Sequence, residues 1–170
     1  MVHVLGNGGY INEVKKLCKR NNLWLIEDTC ESLGVKKNNQ YLGTYGDIGT
    51  YSFYFSHHIT TVEGGMIVTN NDYIANKIFS LRSHGWTRDM FNAQEYEKQF
   101  PEIDPRFLFV NVGYNLRSTD MNAAIGLVQL KKLERFNQKR HEIGKIWNDA
   151  FLPLKKEKLI FPMQITKGTK

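Results

Sequence analysis

Cysteine is scarce in this chain. Of its 170 residues only two are cysteine, Cys18 and Cys30. Two separated thiols cannot build a disulfide framework, a Cys-rich metal site or an iron–sulfur centre, so no metal is expected, and a reducing cytoplasm is the simplest home. No apolar run approaches the roughly 18 residues that a membrane span needs. Nothing at the start reads as a signal peptide. Internal repeats and low-complexity tracts are missing too. So is any nucleic-acid motif or any stripe of alternating basic and aromatic residues, which argues against a nucleic-acid partner.

What is present describes a globular protein with a real core. Hydrophobic residues make up 41% and charged residues 24%, a balance unlike that of disordered chains. The net charge is +6. A basic surface can attract nucleic acid or meet an anionic small molecule. Many of the basic residues follow Lys131 on what reads as a helix and tail, so a solvated basic helix face accounts for much of the excess.

The patterning is that of an α/β protein. Val2-His3-Val4-Leu5-Gly6-Asn7 reads as the end of a buried strand running into a glycine turn. Asn12 to Arg20 reads as a helix with Ile11, Val14, Leu17 and Cys18 on one face. Leu23-Trp24-Leu25-Ile26 has the continuous apolar character of a parallel strand covered on both faces. It ends in Glu27-Asp28, placing two carboxylates at the strand's carboxyl end, where open α/β sheets bind ligands. Strand, helix and strand at this spacing form a βαβ unit. After a loop from Lys36 to Asp47, Ile48 to Ser56 reads as a strand, and Met66 to Thr69 as another. Asn70-Asn71-Asp72 supplies a turn and an N-cap for a helix reaching Leu81-Arg82. Ser83 to Asn111 reads as a long loop, a feature usually reserved for function or an interface. Ser118-Thr119-Asp120 starts a long helix, whose apolar stripe runs through Ala124, Leu127, Leu130 and Leu133 and continues from Phe136 through Ile143 and Trp147 to Phe151. From Leu152 the sequence reads as a polar tail.

Four segments carry the chemistry: Glu27-Asp28-Thr29-Cys30-Glu31-Ser32-Leu33-Gly34; Gly46-Asp47-Ile48-Gly49-Thr50-Tyr51-Ser52-Phe53; His57-His58-Ile59-Thr60-Thr61-Val62-Glu63-Gly64-Gly65; and Gly113-Tyr114-Asn115-Leu116-Arg117-Ser118-Thr119-Asp120-Met121-Asn122. In this order and spacing they resemble the DegT/DnrJ/EryC1/StrS family of sugar aminotransferases and dehydratases. The resemblance covers roughly residues 2 to 151. It implies a fold type I aminotransferase-like large domain, with a mixed, mostly parallel sheet flanked by helices. Residues 1–151 would be part of that pyridoxal-phosphate-binding domain and the long helix after it, and 152–170 the start of a linker to a C-terminal small domain. Family members are longer, so a glycine-containing phosphate loop is expected before Val2 and the small domain after Lys170. A sheet lacking its first strand would leave an unpaired edge.

The resemblance also implies roles. Asp28 matches the aspartate that pairs with the cofactor's pyridine nitrogen, a carboxylate that keeps the ring protonated as an electron sink. Ser52 matches a serine that hydrogen-bonds the cofactor phosphate. Asn115 matches an asparagine that reaches the neighbouring subunit's cofactor, which implies a homodimer with shared sites. Glu31 stands where the family often has a carboxamide, leaving two roles open, one at the cofactor's ring oxygen and one toward substrate. Arg88 suits nucleotide phosphates, with a plain surface arginine as the alternative.

One departure sets the expected activity. His57 falls where the family's Lys-x-Ile-Thr-Thr pattern has its lysine. A lysine amine holds pyridoxal phosphate as a Schiff base; an imidazole cannot, but it can move protons near neutral pH. Among family members this change resembles the sugar 3-dehydratases of deoxysugar biosynthesis. Implied are pyridoxamine phosphate held without a covalent tether, a GDP-linked 4-keto-6-deoxy hexose as substrate, and loss of its C3 hydroxyl with His57 as acid and base. Glutamate is implied as the amino donor. His58 aligns with a variable position. The alternatives are a sugar-nucleotide aminotransferase and a catalytically dead paralogue or fragment.

Overall fold

A computed structural model describes residues 1–156 and 165–170. In chain order its elements are α1 (Ile11–Arg20), β1 (Ile26–Asp28), β2 (Lys36–Lys37), β3 (Gln40–Tyr41), β4 (Ile48–Ser52), β5 (Gly65–Val68), α2 (Asp72–Leu81), α3 (Ala93–Gln99), α4 (Asp120–Leu130) and α5 (Leu133–Lys156). The chain divides into two compact units. One combines Met1–Ile67 with Asp120–Lys170, and the other is Val68–Thr119. No helix among the described residues is long and apolar enough to cross a membrane.

The first unit is built on a three-stranded sheet of order β1-β4-β5. β1 and β4 run parallel, with Ile26 opposite Ile48 and Asp28 opposite Thr50. The strand that begins the βαβ unit is shorter than the sequence suggests. Val2 forms a single parallel bridge to Asp28, flanked by bonds from His3 N to Asp28 O (2.9 Å) and from Asp28 N to Met1 O (2.8 Å). These residues line the outer edge of β1, so that edge is partly paired. The chain then leaves in a 3₁₀ turn, Val4–Gly6.

The second strand is also displaced. Leu23 and Trp24 are exposed, and β1 begins at Ile26. The reason is Glu27, which takes the inward position and is fully buried. Its Oε2 faces His3 Nε2 at 2.9 Å and accepts the Gly43 N–H at 2.8 Å, while Oε1 accepts the N–H groups of Tyr45 and Gly46, both at 2.6 Å. A buried carboxylate is tolerated only when its lone pairs are filled, and register follows whichever side chain the interior can satisfy. Burial raises the Glu27 pKa, but His3 and the Gly46, Gly43 and Tyr45 amides together hold it below the usual carboxylate range. Glu27 is thus a structural pin, and of the two carboxylates expected at the strand end only Asp28 is left for a ligand.

Around this pin Ile11, Leu25, Leu42 and Tyr45 form the apolar core, with Val14, Cys18 and Val35 packed on it. Leu17, expected on the same helix face, is exposed. The segment read as a loop from Lys36 contains the β2–β3 hairpin. Its turn, Asn38-Asn39, has φ of 49° and 66°, the doubly left-handed geometry that suits a twisted hairpin and that asparagine tolerates. Gly49 is required where β4 crosses the Gly43 turn, because a Cβ there would lie 1.9 Å from Gly43 O.

The long helix expected after Ser118 is broken. α4 ends at Leu130 and α5 begins at Leu133. α5 continues past Leu152, through Pro153, to Lys156, so the polar tail does not start where the sequence suggests. Residues 157–164 of that tail lie outside the described residues. Its last residues return to the hairpin, with Thr169 bridged to Lys37.

In the second unit Asn71 caps α2, its Oδ1 accepting from Ile74 N at 3.1 Å. The expected loop from Ser83 to Asn111 holds α3 and a 3₁₀ turn, Pro105–Phe107. Its ends are tied by bridges Ser83–Asn115 and Trp86–Phe109.

Replacing Glu27 by Gln sets an amide NH₂ against at least one N–H donor. Glu27→Gln is expected to lower stability by about 3 kcal/mol, read from denaturant midpoints at pH 7. A carboxyl with a lowered folded pKa stabilises above its unfolded value, about 4.3, and loses that contribution as pH falls through the folded value. The gap between wild type and variant should therefore narrow below about pH 4; a widening gap contradicts this assignment.

Candidate active site

Asp28 ends β1, and Ser52 ends the adjacent parallel strand β4. The Asp28 carboxyl is held below its usual range, first by the Cys30 thiol as hydrogen-bond donor and then by the Cys30 N–H, with burial opposing and the charges of the N-terminus and His57 helping. The backbone bond, Cys30 N to Asp28 Oδ1, is 3.1 Å. In turn the Cys30 thiol is pushed up to about 11, by burial first and then by Asp28. Cys30 is therefore a protonated donor that keeps Asp28 ionised. In sequence this role has no signature beyond an Asx-type turn after a strand.

Ser52 Oγ accepts the Tyr54 N–H at 3.2 Å, and from there the chain turns out into the loop that carries both histidines. Backbone bonds close the loop's base, Phe53 N to Gly64 O (2.9 Å) and Thr61 N to Phe53 O (2.8 Å). Thr61 Oγ1 donates to Glu63 O at 2.9 Å. From α4, Asn122 Nδ2 donates to Thr61 O at 2.6 Å. Between these anchors Val62 sits at φ 74°, a left-handed conformation that a β-branched residue adopts only when its surroundings impose it. Asn122 lies in the helix-start segment, but its part in fixing the loop depends on a contact 61 residues away that spacing does not disclose.

His57 is half-buried on this loop. Its N–H donates to Tyr54 O at 3.1 Å, and its ring meets Tyr54 edge-on, centroids 6.4 Å apart. Of the influences on the Asp28 carboxyl, that of His57 is the smallest. No lysine occurs between Lys37 and Lys77, leaving the loop without an amine. His58 is pushed down, by burial first and then by Arg140 and His57, with Glu31 opposing. Glu31 is exposed and its Oε2 accepts the Leu5 N–H at 3.0 Å.

Asp28, Glu31, Ser52 and His57 all belong to the first unit. Arg88 and Asn115 belong to the second. There the Arg88 guanidinium lies 3.9 Å from the Trp86 ring centroid, and Trp86 stacks on Phe109 at 5.6 Å with an 18° interplanar angle. Asn115 Oδ1 accepts from Arg117 Nε at 3.1 Å. Among the described residues no group of three or more His, Cys, Asp or Glu could hold a metal.

A carboxylate and a hydroxyl thus end two adjacent parallel strands, and a fixed loop follows the second. The chain belongs to the DegT/DnrJ/EryC1/StrS aminotransferase family, whose profile matches residues 1–167. Its fold is that of the fold type I aminotransferase-like enzymes. It is 38% identical over 152 residues to GDP-4-keto-6-deoxy-D-mannose 3-dehydratase of Yersinia pseudotuberculosis, covering 88% of this chain and 39% of that protein. It is 40% identical over 152 residues to the same enzyme of Escherichia coli O55:H7, again covering 88% and 39%. A solved structure of GDP-4-keto-6-deoxymannose 3-dehydratase, a histidine-to-asparagine variant with bound GDP-perosamine, superposes with a TM-score of 0.78 at 39% identity, covering 88% of this chain and 39% of that one. The chain thus spans about two fifths of the length of these relatives.

With its thiol near 11, Cys30 carries roughly a hundredfold less thiolate at pH 8 than an ordinary cysteine. Iodoacetamide should modify Cys30 about a hundred times more slowly in the folded chain than in urea, measured by peptide mass spectrometry.

Proposed function

We propose that this chain is the catalytic core segment of a sugar-nucleotide 3-dehydratase that works with pyridoxamine or pyridoxal phosphate. It removes the C3 hydroxyl of a 4-keto-6-deoxy hexose, with a GDP-linked sugar as substrate. The observation that carries the reading is an imidazole where the family's lysine stands, on a fixed loop, beside a carboxylate kept ionised.

The donor set suits the cofactor. The Asp28 carboxylate would pair with the pyridine nitrogen, Ser52 would hold the phosphate, and Glu31 would lie toward the ring oxygen or substrate. From the second unit, Asn115 would serve the cofactor of a partner subunit in a homodimer, and Arg88 the nucleotide phosphates. When bound, the cofactor supplies an amine for the 4-keto group and a ring that takes up electrons. Asp28 keeps that ring cationic because its own pKa is low. His57 supplies proton transfer, taking a proton as base and returning one to the C3 oxygen, so that the C3–O bond breaks and water leaves. The loop has no amine to capture the aldehyde form, which favours elimination over amine transfer. Glutamate regenerates the amine, and the enzyme works in the cytoplasm. This reading is supported by the relatives' names and by the absence of an amine from the loop.

His57→Asn in the protein that carries this chain should lower dehydration by at least about a hundredfold while pyridoxamine phosphate still binds, followed by ammonia release and cofactor absorbance. Retained dehydration contradicts the role of His57. An amino sugar as product identifies an aminotransferase, and failure to bind any cofactor identifies a dead paralogue.

A further inference from the structure

The His57–His58 loop and helix α5 enclose a cleft of about 430 Å³ that the dehydratase reading leaves unassigned. Its walls include Phe55, His57 and His58 from the loop and Phe136, Lys139 and Arg140 from the helix. No carboxylate is among the lining residues. Lys139 Nζ is engaged by Glu142 at 3.1 Å. Among the described residues, no hydrogen bond or ion pair engages the Arg140 guanidinium. His58 Nδ1 is buried and has no hydrogen-bond partner among the described residues. A ring rotation about its soft terminal torsion would offer that nitrogen to the cleft.

These groups share one preference. A free guanidinium presents a fork of N–H donors that matches phosphate oxygens two at a time. A neutral imidazole adds one more N–H. We propose that this cleft is a phosphate-binding subsite anchored by Arg140, with His58 as a second donor, and that it receives a phosphate of a nucleoside-diphosphate sugar next to His57, a contact additional to the one proposed for Arg88. The assignment rests on the reading that such a sugar is the substrate, and it makes Arg140 a specificity-determining residue.

Calorimetric titration with GDP tests the proposal, using wild type, Arg140→Ala and Arg140→Lys. Arg140 is exposed, so the variants should keep the wild-type melting temperature to within about 2 °C. Arg140→Ala is expected to weaken GDP at least about tenfold. Arg140→Lys should recover only part of this, because an ammonium lacks the planar fork. Pyridoxal phosphate binding, read separately by absorbance, should be unchanged in both variants. GDP binding that ignores Arg140, or no GDP binding at all, overturns the proposal. So does a loss of pyridoxal phosphate binding instead of GDP binding, which would give the cleft to the cofactor's phosphate. Failure of the dehydratase reading shows elsewhere, as dehydration retained by His57→Asn.

Discussion

The buried contact between His3 and Glu27 governs the placement of everything at the site. One carboxylate faces an imidazole and three backbone amides from the turn at Gly43–Gly46. It thereby joins the first residues of the chain, the first strand and the turn that precedes β4. Each bond is short, and a charged acceptor in a dry interior makes each one costly to lose. Because adjacent residues in a strand face opposite ways, turning Glu27 inward turns Asp28 outward. The structural carboxylate thus sets the direction of the one proposed to meet the cofactor.

From that constraint the site follows in steps. Asp28 stays ionised because the Cys30 thiol and amide donate to it. The parallel register brings the end of β4 alongside, and the chain leaves Ser52 into a loop whose base is closed by backbone bonds and gripped by Asn122. Strain at Val62 lies in the same short segment. A catalytic side chain is useful only if it is held in place, and His57 sits on a loop fixed at both ends.

Much of this was legible in the sequence, and what was not has physical causes. His57 and Asp28 could be singled out because the roles proposed for them depend on local motifs. The helix at Ile11 and the cap at Asn71 follow from short-range periodicity and side-chain chemistry. The start of β1 could not be read from Leu23 to Ile26, because hydrophobicity says that those residues are buried, whereas the satisfied carboxylate of Glu27 decides the register. The partners that satisfy it are 16 to 24 residues away. The β2–β3 hairpin was missed because its strands are two residues each and its Asn-Asn turn is a weaker signal than Asn-Gly. The break before Leu133 interrupts a stripe that is continuous in sequence. Neither Cys30 as a donor nor Arg140 as a cleft residue carries any local signature.

In the proposed enzyme the cofactor site is kept while the covalent tether is gone. The direct measurement is retention of pyridoxal phosphate before and after borohydride reduction and denaturation, in wild type and in Asp28→Asn. Wild type should bind the cofactor, denaturation should release all of it even after reduction, and Asp28→Asn should weaken binding at least about tenfold. Cofactor fixed covalently to a lysine of the wild-type protein, or binding indifferent to Asp28, would contradict this.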